Sequence, residues 1–235
     1  MRGSHMDGAV GSQPIATNTP KQINGATVPS RCGTSVSKRA FDIIVSTSIL
    51  IFGAPLLLLI AIGIKLQDGG PILYSHKRIG RNNREFGCLK FRSMVTDANA
   101  KLEAYLKNNP DAREEWSRTQ KLSNDPRITM LGNILRKSSL DEIPQLWNIL
   151  RGDMSLVGPR PIVRDEVPRY GDDIRYYLAA RPGLTGLWQV SGRSDTSYDH
   201  RVNLDVNYVE NWNIGKDIVI MMKTIPAVLE ARGAR

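Results

Sequence analysis

The strongest chemical signal in the sequence is a pair of adjacent carboxylates set among basic residues. Asp141 and Glu142 follow Arg136 and Lys137 and precede Arg151 and Arg160 in RKSSLDEIPQLWNILRGDMSLVGPRP, residues Arg136 to Pro161. Paired acids suit a divalent cation, and one of them suits an acyl-phosphate nucleophile. Arginine forks suit phosphate oxygens. A structural role competes with this chemistry. Ser139 and Glu142 have the spacing of a capping box, in which hydroxyl and carboxylate satisfy the orphan amides of a helix start. Leu140, Ile143, Leu146, Trp147 and Leu150 then form the apolar stripe of a short helix that Gly152 ends. Pro144 is tolerated because it falls in or near the first turn. A helix start near Asp141 would also favour a bound phosphate.

Several stretches must position these residues. Ala40 to Ile64, AFDIIVSTSILIFGAPLLLLIAIGI, is a continuous apolar run. As one helix it would reach about 37 Å, enough for a hydrocarbon core of roughly 30 Å. Pro55 interrupts it, and basic residues stand on both sides, Lys38 and Arg39 before and Lys65 after. Basic flanks at both ends favour one side of the membrane, and a helix that enters, bends at Pro55 and returns satisfies both features. An ordinary kinked span is the competing reading. Gly69 to Met94 reads as a β-hairpin, with Ile72 to Tyr74 and Phe86 to Phe91 as its strands about a turn-rich Gly80 to Asn83. Lys90 and Arg92 are two apart, so on a strand they share a face. A solvated edge would carry the same residues.

Asp97 to Lys121 is charged and helical, broken at Pro110, with a second short helix placing Trp116 inward. Asn124-Asp125-Pro126 is a turn, and a helix from Ile128 to Leu135 delivers Arg136. Val163 to Ala180 reads as a helix stopped by Arg181-Pro182-Gly183. LTGLWQVSGR, from Leu184 to Arg193, reads as a strand or loop whose glycines let backbone approach a ligand. Gln189 and Arg193 offer donors to phosphate or base, against an ordinary exposed turn. Asp205 fits a structural cap or a partner for a nearby arginine. Beyond Gly215, Ile218, Met221, Met222, Ile225 and Leu229 recur at helical spacing. A core helix is the ordinary reading, and an interfacial helix behind Trp212 is the other.

At 235 residues the chain has ample length for a core. A formal charge of +9 suits nucleic acid, a phosphorylated substrate or an anionic membrane. Cys32 and Cys88 form no metal pattern and suit a reducing compartment. The absence of HExxH, CxxC and P-loop motifs argues against zinc hydrolysis and P-loop ATP chemistry. MRGSH, from Met1 to His5, reads as an expression tag, and Asp7 to about Ser37 as a disordered tail. No signal-peptide layout is present.

KSSLDEIPQLWNILRGDMSLVGPRP closely resembles the signature of the bacterial sugar transferases, the monotopic phosphoglycosyl transferases that begin surface-polysaccharide assembly. KRAFDIIV, CLKFRSM, RPGLTGLWQVSGR and LDVNYVENW match in the same order, covering roughly residues 38 to 230. Members often carry Ser before the membrane proline, where this chain has Ala54. The resemblance implies an α+β, mostly helical fold: a tag and tail (1–37), a re-entrant membrane helix (38–66), and a compact cytoplasmic catalytic domain (67–235) with a small β-hairpin and interfacial helices. It implies the small form of the family, on the cytoplasmic face of a bacterial inner membrane, with no nucleic-acid partner. A homo-oligomer is left open.

The family reaction moves a sugar-1-phosphate from a UDP-sugar to a polyprenyl phosphate, here undecaprenyl phosphate, and releases UMP. On this reading Asp141 and Glu142 are the catalytic residues: Asp141 is the nucleophile, the pair holds Mg2+, and Glu142 either shares in binding the metal or positions the lipid phosphate. Lys90, Arg92, Arg136 and Arg160 clamp phosphates, with Gln189, Arg193 and Asp205 as further binding residues and Pro55 as the membrane bend. Galactose is the expected sugar. A glycosyltransferase releasing UDP, or a basic membrane-binding module without activity, are the alternatives. The module leaves the acid pair without a role.

Overall fold

The computed structural model describes residues 30–192 and 197–229. Residues 1–29 of the tag and tail, and Arg193, lie outside the described residues. Structure begins before Ser37: a short helix, α1 (Arg31–Thr34), buries Cys32 in the main core. The long helix α2 (Val36–Asp68) follows, opened by the Ser35 hydroxyl, which accepts from the Lys38 amide, and closed by Gly69 at a φ of 70°. It runs through Pro55 as one element and is long and apolar enough to cross a membrane.

The two ends of α2 pack on the same folded body. At its start, Arg39 donates to the carbonyls of Ile149 and Leu150, and Asp42 accepts from the Ser155 hydroxyl and the Leu156 amide, each at 3.0 Å. Towards its end, Ile60 and Ile64 are buried with Phe91 and Leu135, and Asp68 pairs with Arg92. Between them the helix is bare: Phe52 is 85% exposed and Leu59 67%. An apolar surface of that kind needs a non-aqueous medium.

The hairpin forms as its alternation and turn residues require. Strand β1 (Leu73–Ile79) pairs antiparallel with β2 (Glu85–Phe91), placing Tyr74 opposite Lys90. Charged helices α3 (Ala98–Asn108) and α4 (Pro110–Thr119) follow, with Pro110 opening the second. Helix α5 (Met130–Lys137) starts at Thr129, whose side chain accepts from the Gly132 amide. Helix α6 (Gln145–Arg151) ends at Gly152 with a φ of 92°, as read from sequence. Strand β3 (Ser155–Val157) then pairs in parallel with β4 (Gly183–Thr185).

Three local expectations give way. The helix expected over Val163 to Ala180 is a 3-10 stretch, Arg164–Asp173, kinked at Gly171 with a φ of 53°, followed by α7 (Ile174–Ala179). Pro168 lacks an amide and Gly171 takes a left-handed φ, so an α-helical ladder cannot run through. The capping box is absent: Ser139 adopts a φ of 57° and its side chain caps nothing. Trp147, expected in the buried stripe, is 55% exposed, while Leu146 and Ile149 are fully buried.

The stretch after β4 forms α8 (Leu187–Val190), then α9 (Tyr198–Glu210) and α10 (Ile214–Leu229). Leu146, Ile149, Met154, Val157, Tyr208 and Ile220 make the main core between α6, β3 and the last two helices. Opposite the core, α10 leaves Ile218, Val219, Met222 and Ile225 exposed.

Candidate active site

The acid pair sits in a 3-10 turn, Leu140–Glu142, between α5 and α6. Ser139, in left-handed conformation, turns the chain sharply there and accepts the Glu142 amide on its carbonyl. Leu140 packs against the cluster formed by Ile60 and Ile64 of α2 with Phe91 and Leu135, so the turn adjoins the core that anchors the end of the apolar helix. Asp141 is buried at 8% exposure.

Lys90 binds the pair. Its Nζ lies 2.6 Å from Glu142 Oε1 and 3.6 Å from Asp141 Oδ2. Strand β2 is held where this is achievable by Asn148 of α6, which accepts from the Leu89 amide (2.9 Å) and donates to the Gly87 carbonyl (2.8 Å). Asn148 was not among the residues singled out from sequence. Its signal was a polar residue on a helix otherwise read as apolar. A buried amide is costly unless its partners are supplied, and here they are the strand that carries Lys90.

Burial raises the pKa of the Asp141 carboxyl, and the Glu142 charge adds to this. Lys90 and Arg136 oppose it. Arg136 reaches the site from α5, its Nε donating to Ser93 Oγ at 2.8 Å. Burial lowers the Arg136 pKa, while Asp141 and Asp125 favour its charged form. Arg160 is exposed, within electrostatic reach of Glu142, and its guanidinium lies 5.3 Å from the Trp188 ring centre. Arg201 lies 5.1 Å from the same ring, so two cations share Trp188.

Lys90, Arg136 and Arg160 therefore gather about the acid pair, whereas other expected residues are engaged elsewhere. Arg92 pairs with Asp68 at the end of α2 rather than with the acids. Gln189 stands half-buried on α8 beside Trp188. Asp205 is 2% exposed and accepts from the Tyr170 hydroxyl at 2.8 Å, with Arg201 Nε at 4.0 Å. Burial pushes its carboxyl up to about 7 against the Tyr170 hydrogen bond and the charges of Arg201 and Arg160. Its reach to the acid pair is indirect, through the charges of Arg201 and Arg160.

No group of three or more metal-ligating side chains occurs among the described residues. Asp141 and Glu142 offer two carboxylates side by side. Two carboxylates are a donor number Mg2+ can accept when water and substrate phosphate complete its shell, with Lys90 sharing them.

A family model described as bacterial sugar transferase matches residues 33–231, nearly the whole described chain. The chain belongs to the bacterial sugar transferase family. The transferase is 53% identical over 199 residues to the exopolysaccharide production protein ExoY of Rhizobium meliloti, covering 85% of this chain and 88% of that protein. It is 55% identical over 197 residues to an undecaprenyl-phosphate galactose phosphotransferase of Salmonella typhimurium, covering 84% of this chain but 41% of that protein. A UDP-galactose-lipid carrier transferase of Erwinia amylovora is 52% identical over the same length and shares. The transferase is an enzyme of the exopolysaccharide type, and its bare apolar helix makes it membrane-associated.

Proposed function

We propose that the transferase is a phosphoglycosyl transferase that moves galactose-1-phosphate from UDP-galactose to undecaprenyl phosphate, releasing UMP, as the first membrane step of exopolysaccharide synthesis. The observation that carries this is the buried Asp141 with the half-exposed Glu142 beside it, both held by Lys90 next to the apolar cluster that includes the end of α2. The relatives' names supply the sugar and the lipid carrier.

The reaction is two displacements at one phosphorus. Asp141 attacks the β-phosphorus of the nucleotide sugar; its carboxylate oxygen bonds to phosphorus and the bond to the bridging oxygen breaks, so UMP leaves with that oxygen. The lipid phosphate oxygen then attacks the same phosphorus and expels the Asp141 carboxylate. Dividing the reaction this way avoids direct displacement between two anionic substrates. Lys90 favours the ionised, nucleophilic form of Asp141 against the cost of burial. Glu142 fixes the Lys90 ammonium beside the nucleophile. Arg136 and Arg160 supply charge for the phosphate oxygens as negative charge shifts between them. Mg2+ held by the two carboxylates would neutralise diphosphate charge.

The same reading places α2 as a re-entrant element, with its two ends on the cytoplasmic face of the inner membrane, and α10 in the interface. The packing of both ends on one body supports this, because a crossing helix would put them on opposite sides of the hydrocarbon. Residues 67–235 are then the cytoplasmic catalytic domain, and the lipid phosphate meets Asp141 at the bilayer surface.

The test is to incubate detergent-solubilised protein with UDP-galactose, Mg2+ and undecaprenyl phosphate and to identify the released nucleotide. UMP is expected, with labelled sugar phosphate trapped on the protein when the lipid is withheld, and Asp141→Asn should abolish both. Release of UDP would mean glycosyl transfer and would overturn the mechanism.

A further inference from the structure

A groove of about 400 Å3 lies between α8, α9 and α10, separate from the acid pair. Leu187, Val190 and Val219 form apolar walls, and Asn207, Lys216 and Lys223 supply polar groups. Among the described residues no acidic side chain lines it and neither lysine takes part in an ion pair.

The helix that carries both lysines is tied to the root of the membrane helix. Asp217 of α10, wholly buried, meets Lys38 of α2 at 2.6 Å and accepts from Trp212 Nε1 at 3.0 Å. The start of α10 is thereby held where α2 begins. At 100° per residue, Ile218, Met222 and Ile225 fall on one exposed stripe, Val219 at its edge, and Lys216 and Lys223 beyond that edge over the groove. With the apolar stripe among acyl chains, the two lysines lie roughly 130–150° round the helix from its centre, on the flank that leaves the bilayer, from which long basic side chains can reach back to the headgroups.

We propose that this groove binds the phosphate headgroup of an anionic phospholipid of the surrounding bilayer. The lysines pair with the phosphate, Asn207 offers a further donor, and the apolar walls take the first carbons of the acyl chains. Charge complementarity selects an anionic lipid over a zwitterionic one, because a choline or ethanolamine group would bring a cation towards two ammonium groups. The proposal rests on the membrane placement of α2 and α10 given above. It does not require the transfer chemistry.

The experiment uses the full chain, purified in neutral detergent. Native mass spectrometry follows retention of phosphatidylglycerol, phosphatidylcholine of the same acyl chains, and undecaprenyl phosphate. One phosphatidylglycerol retained per chain is expected, with phosphatidylcholine lost. Each lysine near an anionic headgroup contributes roughly fivefold, so the Lys216→Gln/Lys223→Gln protein should retain phosphatidylglycerol about twenty-five-fold more weakly. Lys101→Gln/Lys107→Gln on α3 should change nothing. Val190→Trp, which fills the groove and leaves the lysines, should also lose the lipid. Equal retention by the Lys216/Lys223 variant, or by Val190→Trp, overturns the proposal. Stoichiometric displacement by undecaprenyl phosphate would make the groove an acceptor site, and displacement by inorganic phosphate would make it a free-phosphate site; either overturns it. Retained phosphatidylglycerol in a preparation that releases no UMP would support the groove while refuting the transfer reaction.

Discussion

Replacing Lys38 by Met should be among the most destabilising single changes in the body of the protein. Its ammonium is 4% exposed and faces Asp217, whose side chain is 0% exposed, at 2.6 Å. It also donates to the Val157 carbonyl at 2.9 Å and to the Tyr208 hydroxyl at 3.1 Å. Tyr208 has one proton for two acceptors, the Val157 carbonyl (2.9 Å) and Asp217 Oδ1 (2.8 Å). Without Lys38 that proton cannot serve both, and Asp217 loses its countercharge. Breaking a buried pair costs roughly 3–5 kcal/mol, and the contacts surviving from Tyr208 and Trp212 place this case near the lower end. For a chain of this size about 3 kcal/mol corresponds to a fall in melting temperature of roughly 6–12 °C. Thermal unfolding in detergent, followed by near-UV circular dichroism, measures it. Lys38→Met/Asp217→Leu, which removes both charges, should melt above Lys38→Met, because an unpaired buried charge is worse than none. A single variant melting within about 2 °C of the parent, or a double variant melting below the single, would refute this account of the hub.

Lys90→Met should move the acid limb of the kcat profile to higher pH. Burial already raises the Asp141 carboxyl, Lys90 opposes that shift, and attack needs the carboxylate; an unmoved limb would remove Asp141 from the titrating role. Gly132→Ala should destabilise the protein by roughly 1–3 kcal/mol. Its new Cβ would stand 2.0 Å from the Ser93 carbonyl oxygen, a backbone atom, so α5 must shift and take Arg136 with it. Unchanged melting and activity would show that α5 does not depend on this approach. Cysteines placed at exposed Val36 and Leu66 should react with a membrane-impermeant maleimide from the same side of the membrane. The native Cys32 and Cys88 thiols are buried and pushed up to about 11 by that burial, so they should stay silent. Labelling of the two positions from opposite sides would establish a span.

Features encoded by neighbours along the chain were legible without coordinates. The hairpin, the breaks at Pro110 and Gly152, the long apolar helix and the location of the acid pair all follow from local periodicity, turn chemistry or composition. The ordered family blocks carried the assignment to bacterial sugar transferases. Even some local signals failed when a single backbone angle intervened: the capping box is lost to the left-handed Ser139, and the helix through Pro168 to the turn at Gly171.

Which charge meets which was a tertiary matter. Lys90 and Arg92 look equivalent in sequence, yet one reaches the acid pair and the other closes onto Asp68. Asp205 is drawn to Tyr170 and away from direct contact with the acids. Lys38 and Asp217, separated by 179 positions, share the protein's most buried ion pair among the described residues. Hydrophobic burial sets the segments against one another through non-directional area, and an ion pair forms only where that packing brings its atoms within a few ångströms. Residue type supplied the chemistry open to Asp141; the packing of α2, β2, α5 and α6 decided which cations surround it.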